Sequence, residues 1–221
     1  MRRIATSTIP VLAMLLIGAA PSAARSHHAR SAKCPSREAE GLLVGNAQAE
    51  IYLAPHGQGF AASSFAYGCT FSNKRSYALG RYDPECLGSP QGGGCGGVED
   101  ITLAGPIGAY EESSESPGEG ASYTVVVRDL RTGRVLHKVA AGPPGRGPTT
   151  GIVVKSDGAV AWIVESRAVS NPPAEYQVHV LDKTGNRVLA SGSEVEPHSL
   201  ALAGSTLYWT QGGKPMSAVL N

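Results

Sequence analysis

The sequence predicts an all-β fold of antiparallel four-stranded meander repeats, and three observations predict it. Short runs rich in Val, Ile, Trp and Tyr alternate with turns built on Gly, Asp, Asn and Pro. Gly (28) and Pro (15) are abundant, and no stretch carries the 3.6-residue period of an amphipathic helix. The third is a pattern that recurs along the chain. Its fullest copy is Gly151–Gly192, where G-I-V-V-K-S-D-G-A-V-A-W-I-V-E is followed by a polar loop and then by E-Y-Q-V-H-V-L-D-K-T-G-N-R-V-L-A-S-G.

At 221 residues and 42% apolar content, the chain can bury one substantial core. Charge is sparse and balanced, 19 basic against 18 acidic residues, so nothing marks a nucleic-acid partner. Residues 1–24 read as a secretory signal peptide: Arg2 and Arg3 open it, an apolar run follows, and Ser22, Ala23 and Ala24 offer a small-residue cleavage site. The expected localisation is secreted or extracytoplasmic, with no transmembrane segment after cleavage. Cleavage after Ala24 would leave His27 third from a free amine, a set suited to Cu(II) or Ni(II); no other cofactor is expected.

Residues 25–40 form a polar arm that Cys34 ties down. Four cysteines follow the signal segment, Cys34, Cys69, Cys86 and Cys95, and an even count in an exported chain points to disulfides. Cys86 and Cys95 flank a Gly-rich loop that can close on itself, so the favoured pairing is Cys34–Cys69 with Cys86–Cys95. A zinc site is the rival, unsupported by CxxC spacing or paired histidines.

The domain spans 41–221 in about four repeats, 41–83, 98–141, 150–192 and 198–221. The first supplies strands at 42–45, 50–54, 65–71 and 75–80. The second supplies 101–104, 107–111, 123–130 and 134–140, with the acidic stretch Glu111–Gly120 read as a polar loop. The fourth stops after three strands. Val127-x-Asp129, Thr132-Gly133 and Val135-Leu136 correspond to Val180-x-Asp182, Thr184-Gly185 and Val188-Leu189, and Ala109-Tyr110 corresponds to Ala161-Trp162 and Tyr208-Trp209. A period of about 40 to 50 residues with four strands per unit is that of a propeller blade. These residues resemble the blades of bacterial secreted β-propeller repeat proteins of the lactonase-like and quinoprotein-like kind. The resemblance implies a small or incomplete β-propeller and no particular activity; a β-sandwich is the alternative fold.

Candidate chemistry is thin. No nucleophile elbow, HExxH or phosphate-cradling glycine motif is present. His137 and His179 fall in strands and Trp162 and Trp209 in the most apolar runs, so packing roles are expected. The Glu111–Glu119 stretch lacks the ligand spacing of a calcium loop. In an up-and-down meander the tight turns gather at one end and the long connections at the other. The long set comprises His56–Gln58, Cys86–Cys95, Glu111–Gly120, Gly142–Thr150, Arg167–Ala174, Glu194–His198 and Gly212–Lys214. Recognition concentrates on such loops, which makes His56, Arg167, Asn171 and His198 the candidate contacts. The expected function is an exported noncatalytic binding or structural protein with an unidentified ligand or protein partner, self-associating if the ring is incomplete. The alternative is an extracellular hydrolase or lactonase-like enzyme with loop-borne catalytic residues.

Overall fold

The computed structural model describes residue 34 and residues 41–57, 63–82, 96–116, 120–143, 147–166 and 174–221. The chain divides into Met1–Ser31, wholly outside these residues, and Ala32–Asn221. No helix occurs among the described residues, and accordingly none is long and apolar enough to cross a membrane.

Among the described residues fifteen strands form four antiparallel sheets in chain order. Sheet 1 holds β1 (Gly41–Gly45), β2 (Ala49–His56), β3 (Ser63–Thr70) and β4 (Ser76–Arg81). Sheet 2 holds β5 (Val98–Ala104), β6 (Ile107–Ser116), β7 (Gly120–Asp129) and β8 (Arg134–Ala140). Sheet 3 holds β9 (Thr149–Val154), β10 (Val160–Glu165), β11 (Tyr176–Asp182) and β12 (Gly185–Gly192). Sheet 4 has three strands, β13 (Ala201–Ala203), β14 (Thr206–Gln211) and β15 (Lys214–Val219). Every strand pairs with its neighbour in sequence, which is what tight Gly- and Asp-bearing turns enforce.

The sheets pack face to face in the same order. Ala49, Ile51 and Ala66 of sheet 1 meet Tyr110 and Val126 of sheet 2. Ala109, Val125 and Val127 on the opposite side of sheet 2 meet Val160, Trp162 and Val164 of sheet 3. Ala161, Ile163, Val178 and Val180 then meet Leu207 and Trp209 of sheet 4. The first strands of successive sheets also touch, β1 with β5, β5 with β9 and β9 with β13.

The recurring aromatic step gains a spatial meaning. In β6 and β10 the first residue, Ala109 or Ala161, faces the next sheet, while Tyr110 or Trp162 faces the preceding one. Trp209 likewise packs back onto sheet 3. Ile51-Tyr52 is a further copy, hidden in the sequence because Ile stands where the others have Ala or Tyr. No sheet precedes Tyr52 among the described residues. It is buried instead with Cys34 and Cys69, which are joined in the expected disulfide. At the other end Tyr208 is 43% exposed, with no sheet beyond it among the described residues. Cys86 and Cys95 lie outside the described residues.

Two expectations need correction. The acidic stretch is no ten-residue loop: β6 runs to Ser116 and β7 starts at Gly120, pairing Glu112 with Thr124 and Ser114 with Ser122. A run of Ser and Glu suits a hairpin arm that projects beyond its sheet neighbours, because both faces there meet water. Gly212–Lys214 is a tight turn, with Gly212 and Gly213 both at positive φ (58° and 70°) and Gln211 paired with Lys214. Trp162 and Trp209 are buried as expected, at 0% and 5% exposure.

Candidate functional site at the loop end

The meander gives the domain two ends. The turns β1–β2, β5–β6, β9–β10 and β13–β14, with β3–β4, β7–β8 and β11–β12, lie at one end, hereafter the hairpin end. Contacts between sheets confirm the shared end: Asn46 Nδ2 donates to Gly105 O (2.8 Å), and Asn73 Nδ2 donates to Arg131 O (2.6 Å). The opposite, loop end collects the starts of β1, β5, β9 and β13. Ser116 of β6 and Glu165 of β10 both terminate there, because Thr149, which pairs with Val164, is hydrogen-bonded to Glu111 and Asp100 of sheet 2. The connections 117–119 and 167–173 therefore leave from one end, as the tight-turn pattern required.

At this end, between sheets 2 and 3, sits a carboxyl cluster. Glu111 follows Ile107 and Ala109 on the face of β6 that packs on sheet 3, and it is only 1% exposed. Its Oε2 accepts the backbone N–H of Thr149 (2.5 Å), while the Thr149 hydroxyl donates to Asp100 Oδ2 (2.7 Å). Asp100 reaches this position through an irregularity in the β5–β6 register and a left-handed backbone, φ 46°. Burial pushes the Glu111 carboxyl up to about 7, against the Thr149 hydrogen bonds, with the charges of Asp100 and Glu99 adding to the rise. Burial also raises Asp100, opposed by the Thr149 hydroxyl and by His198, and burial raises Glu99 with help from Asp100.

His198 enters from the link before β13. Its Nδ1 lies 2.8 Å from Thr150 O; a carbonyl accepts only, so Nδ1 carries a proton. The link is fixed by Ser199, whose hydroxyl donates to Glu196 O and accepts from Thr210 N. One Thr149–Thr150 step thus joins the carboxyls of sheet 2 to the imidazole of sheet 4.

His56 stands elsewhere. It ends β2 on the far face of sheet 1, stacked on Phe65 (4.2 Å between ring centres) with Nδ1 2.8 Å from the Tyr67 hydroxyl. No hydrogen bond, ring contact or ion pair joins it to His198 among the described residues. Arg167, Asn171 and His27 lie outside the described residues. The structure brings one predicted contact, His198, to a cluster that the sequence did not signal. The signal available was the alternation Ile107, Ala109, Glu111, which places a carboxylate where a core residue belongs.

Chemically the cluster can present hydrogen-bond acceptors and, near neutrality, one protonated carboxyl. Glu111 itself is sealed from solvent, so Asp100 and His198 at the rim are the groups a ligand can touch. His56 is bonded to a phenol and His198 to a carbonyl, so neither histidine is paired with a Ser, Thr or Cys nucleophile among the described residues. No group of three or more His, Cys, Asp or Glu side chains there is placed to hold a metal ion. Compared with known proteins, the chain matches no family pattern and no curated sequence.

Proposed function

We propose that the chain is an exported, noncatalytic binding or structural β-repeat protein, that its four sheets are blades of a small or open β-propeller, and that the loop end recognises a ligand or protein partner. One observation carries the reading. Tight turns occupy one end, while the opposite end holds most of the variable connections together with a desolvated carboxyl cluster, the kind of perturbed site that marks function more often than packing. Export is supported by the N-terminal charge and apolar pattern and by the Cys34–Cys69 disulfide.

A second reading, a hydrolase or lactonase-like enzyme, draws on Glu111 titrating near neutrality beside Asp100 and His198. Against it, the one carboxyl suited to proton transfer is inaccessible to a substrate. The test is a screen of secreted protein against lactones, esters and oligosaccharides, scored for both binding and turnover in wild type, His56→Ala, Asp100→Asn and His198→Ala. The expected result is no turnover, with binding weakened by Asp100→Asn and His198→Ala and spared by His56→Ala. Turnover abolished by either histidine substitution would replace this reading with the enzymatic one.

A further inference from the structure

The near-neutral total charge conceals a separation along the strands. At the hairpin end the three outer turns, one per sheet, each carry cations: Lys74 and Arg75 between β3 and β4, Arg131 and Arg134 between β7 and β8, and Lys183 between β11 and β12, all of them exposed. The acidic residues of the last two turns face inward. Asp129 accepts from the Arg131 backbone N–H (2.9 Å) and from its guanidinium (Nε at 3.1 Å, Nη2 at 3.2 Å), and is 8% exposed. The Asp182 side chain is fully buried, taking hydrogen bonds from Thr184, Arg187 and the Asn221 backbone N–H. Each such turn engages one guanidinium with its carboxylate, Arg131 with Asp129 and Arg187 with Asp182, and leaves Arg134 or Lys183 facing water. At the loop end the balance is reversed, with Glu99, Asp100, Glu111, Glu165, Glu175 and Glu194 gathered there.

We infer that the outer hairpin turns form a row of cations that binds a linear anionic polysaccharide. The row runs across successive sheets, with turns spaced about 10 Å apart, the distance between stacked sheets. The first two of these turns are locked together through the Asn73–Arg131 hydrogen bond, which holds their cations on a rigid scaffold. Guanidinium and ammonium groups in such a row meet carboxylate or sulfate groups recurring along a chain, each contact weak and the series multivalent. A planar lipid surface fits less well. The inner turns Asn46–Gln48, Gly105–Pro106 and Gly204–Ser205 have no cation, the β9–β10 turn pairs its Lys155 with Asp157 (3.1 Å), and none of the four has a large apolar side chain to insert. Single-stranded nucleic acid needs stacking platforms, and the aromatics of the β3–β4 turn region are engaged, Tyr77 with its ring against Gly133 and its hydroxyl on Arg131 O, Phe71 against the Cys34, Tyr52 and Cys69 cluster.

The test measures binding of fluorescein-labelled heparin at several salt concentrations, with single-stranded DNA and phosphatidylglycerol vesicles as parallel arms. Two double variants remove equal charge: Lys74→Asn with Lys183→Ala at the hairpin end, and Lys138→Ala with Lys214→Ala away from it. Asn suits the left-handed backbone of Lys74 (φ 54°), and thermal melts confirm that both variants fold. Heparin binding should weaken about tenfold or more in the first variant and less than twofold in the second, with the salt slope falling by about one per cation removed. Equal weakening in both variants, no heparin binding by wild type at 0.15 M salt, or tighter binding to DNA or vesicles than to heparin would each overturn the inference.

Discussion

Glu111 shows how one side chain can set the pH response of a seam between sheets. Its carboxyl titrates near 7 in the fold, above the 4.5 of an exposed glutamate. Below pH 4.5 it is protonated in both folded and unfolded chains, and the stability it contributes is fully present. As pH rises through 7 the folded protein must ionise a buried group, and about 3 kcal/mol is lost. Glu111→Gln keeps an oxygen for the Thr149 N–H and removes the ionisation. Urea denaturation at pH 5, 6.5 and 8 should therefore show a flatter profile for the variant and a gain at pH 8. Asp182 has the opposite sign. The Arg187 side chain, then Thr184 and the Asn221 N–H, hold its carboxyl well below the usual range, so its contribution is present above the ordinary carboxylate pKa and lost as pH falls through its own. Asp182→Ala should cost about 2 to 3 kcal/mol at pH 7, since it leaves Arg187 and two backbone donors unpaired, with the deficit shrinking in acid. The Asp182 turn was legible in the sequence because Lys-Thr-Gly requires a glycine at positive φ. Glu111 was not, because a run of Glu and Ser carries the composition of a loop whether or not its first residue is buried.

At the scale of the element, strand existence was legible throughout the described residues, and strand ends were less so. Apolar alternation marks where a strand is buried, but it fades where a hairpin arm projects into water, which is why the pattern ends at Glu111 while β6 runs on to Ser116. Turn glycines give a sharper comparison. Gly133 (φ 76°) has the Tyr77 ring 2.4 Å from where a Cβ would stand, whereas Gly185 (φ 101°), its counterpart one repeat later, has nothing within 4 Å. Gly185→Ala should cost about 1 kcal/mol from backbone strain alone. Gly133→Ala adds a clash against the neighbouring sheet and should cost about 3 kcal/mol. Chemical denaturation of the two variants side by side measures the difference, and equal losses would mean that Tyr77 moves aside freely.

For the whole molecule, the repeat count and the incomplete last unit were both legible, since period and turn spacing are local properties. The order of stacking was not, because which face of a strand meets which neighbour depends on pairing across distant segments. Burial is deepest in sheets 2 and 3, covered on both faces, and shallowest in β13 and β15. Amide hydrogen exchange should accordingly be slowest in β7 and β10 and fastest in β13 and β15. Uniform protection across the four sheets would show that they open only together.

The Cys34–Cys69 bond has a mechanical consequence. Drawn out by its two ends, the chain should give way first at β15, which peels from β14 one hydrogen bond at a time, and sheets should follow in reverse order of sequence. The covalent link bridges a separation of 35 residues, so this bond by itself should leave the fully stretched polymer short of its reduced length by roughly 120 Å. Adding reductant in an optical trap should restore that missing contour.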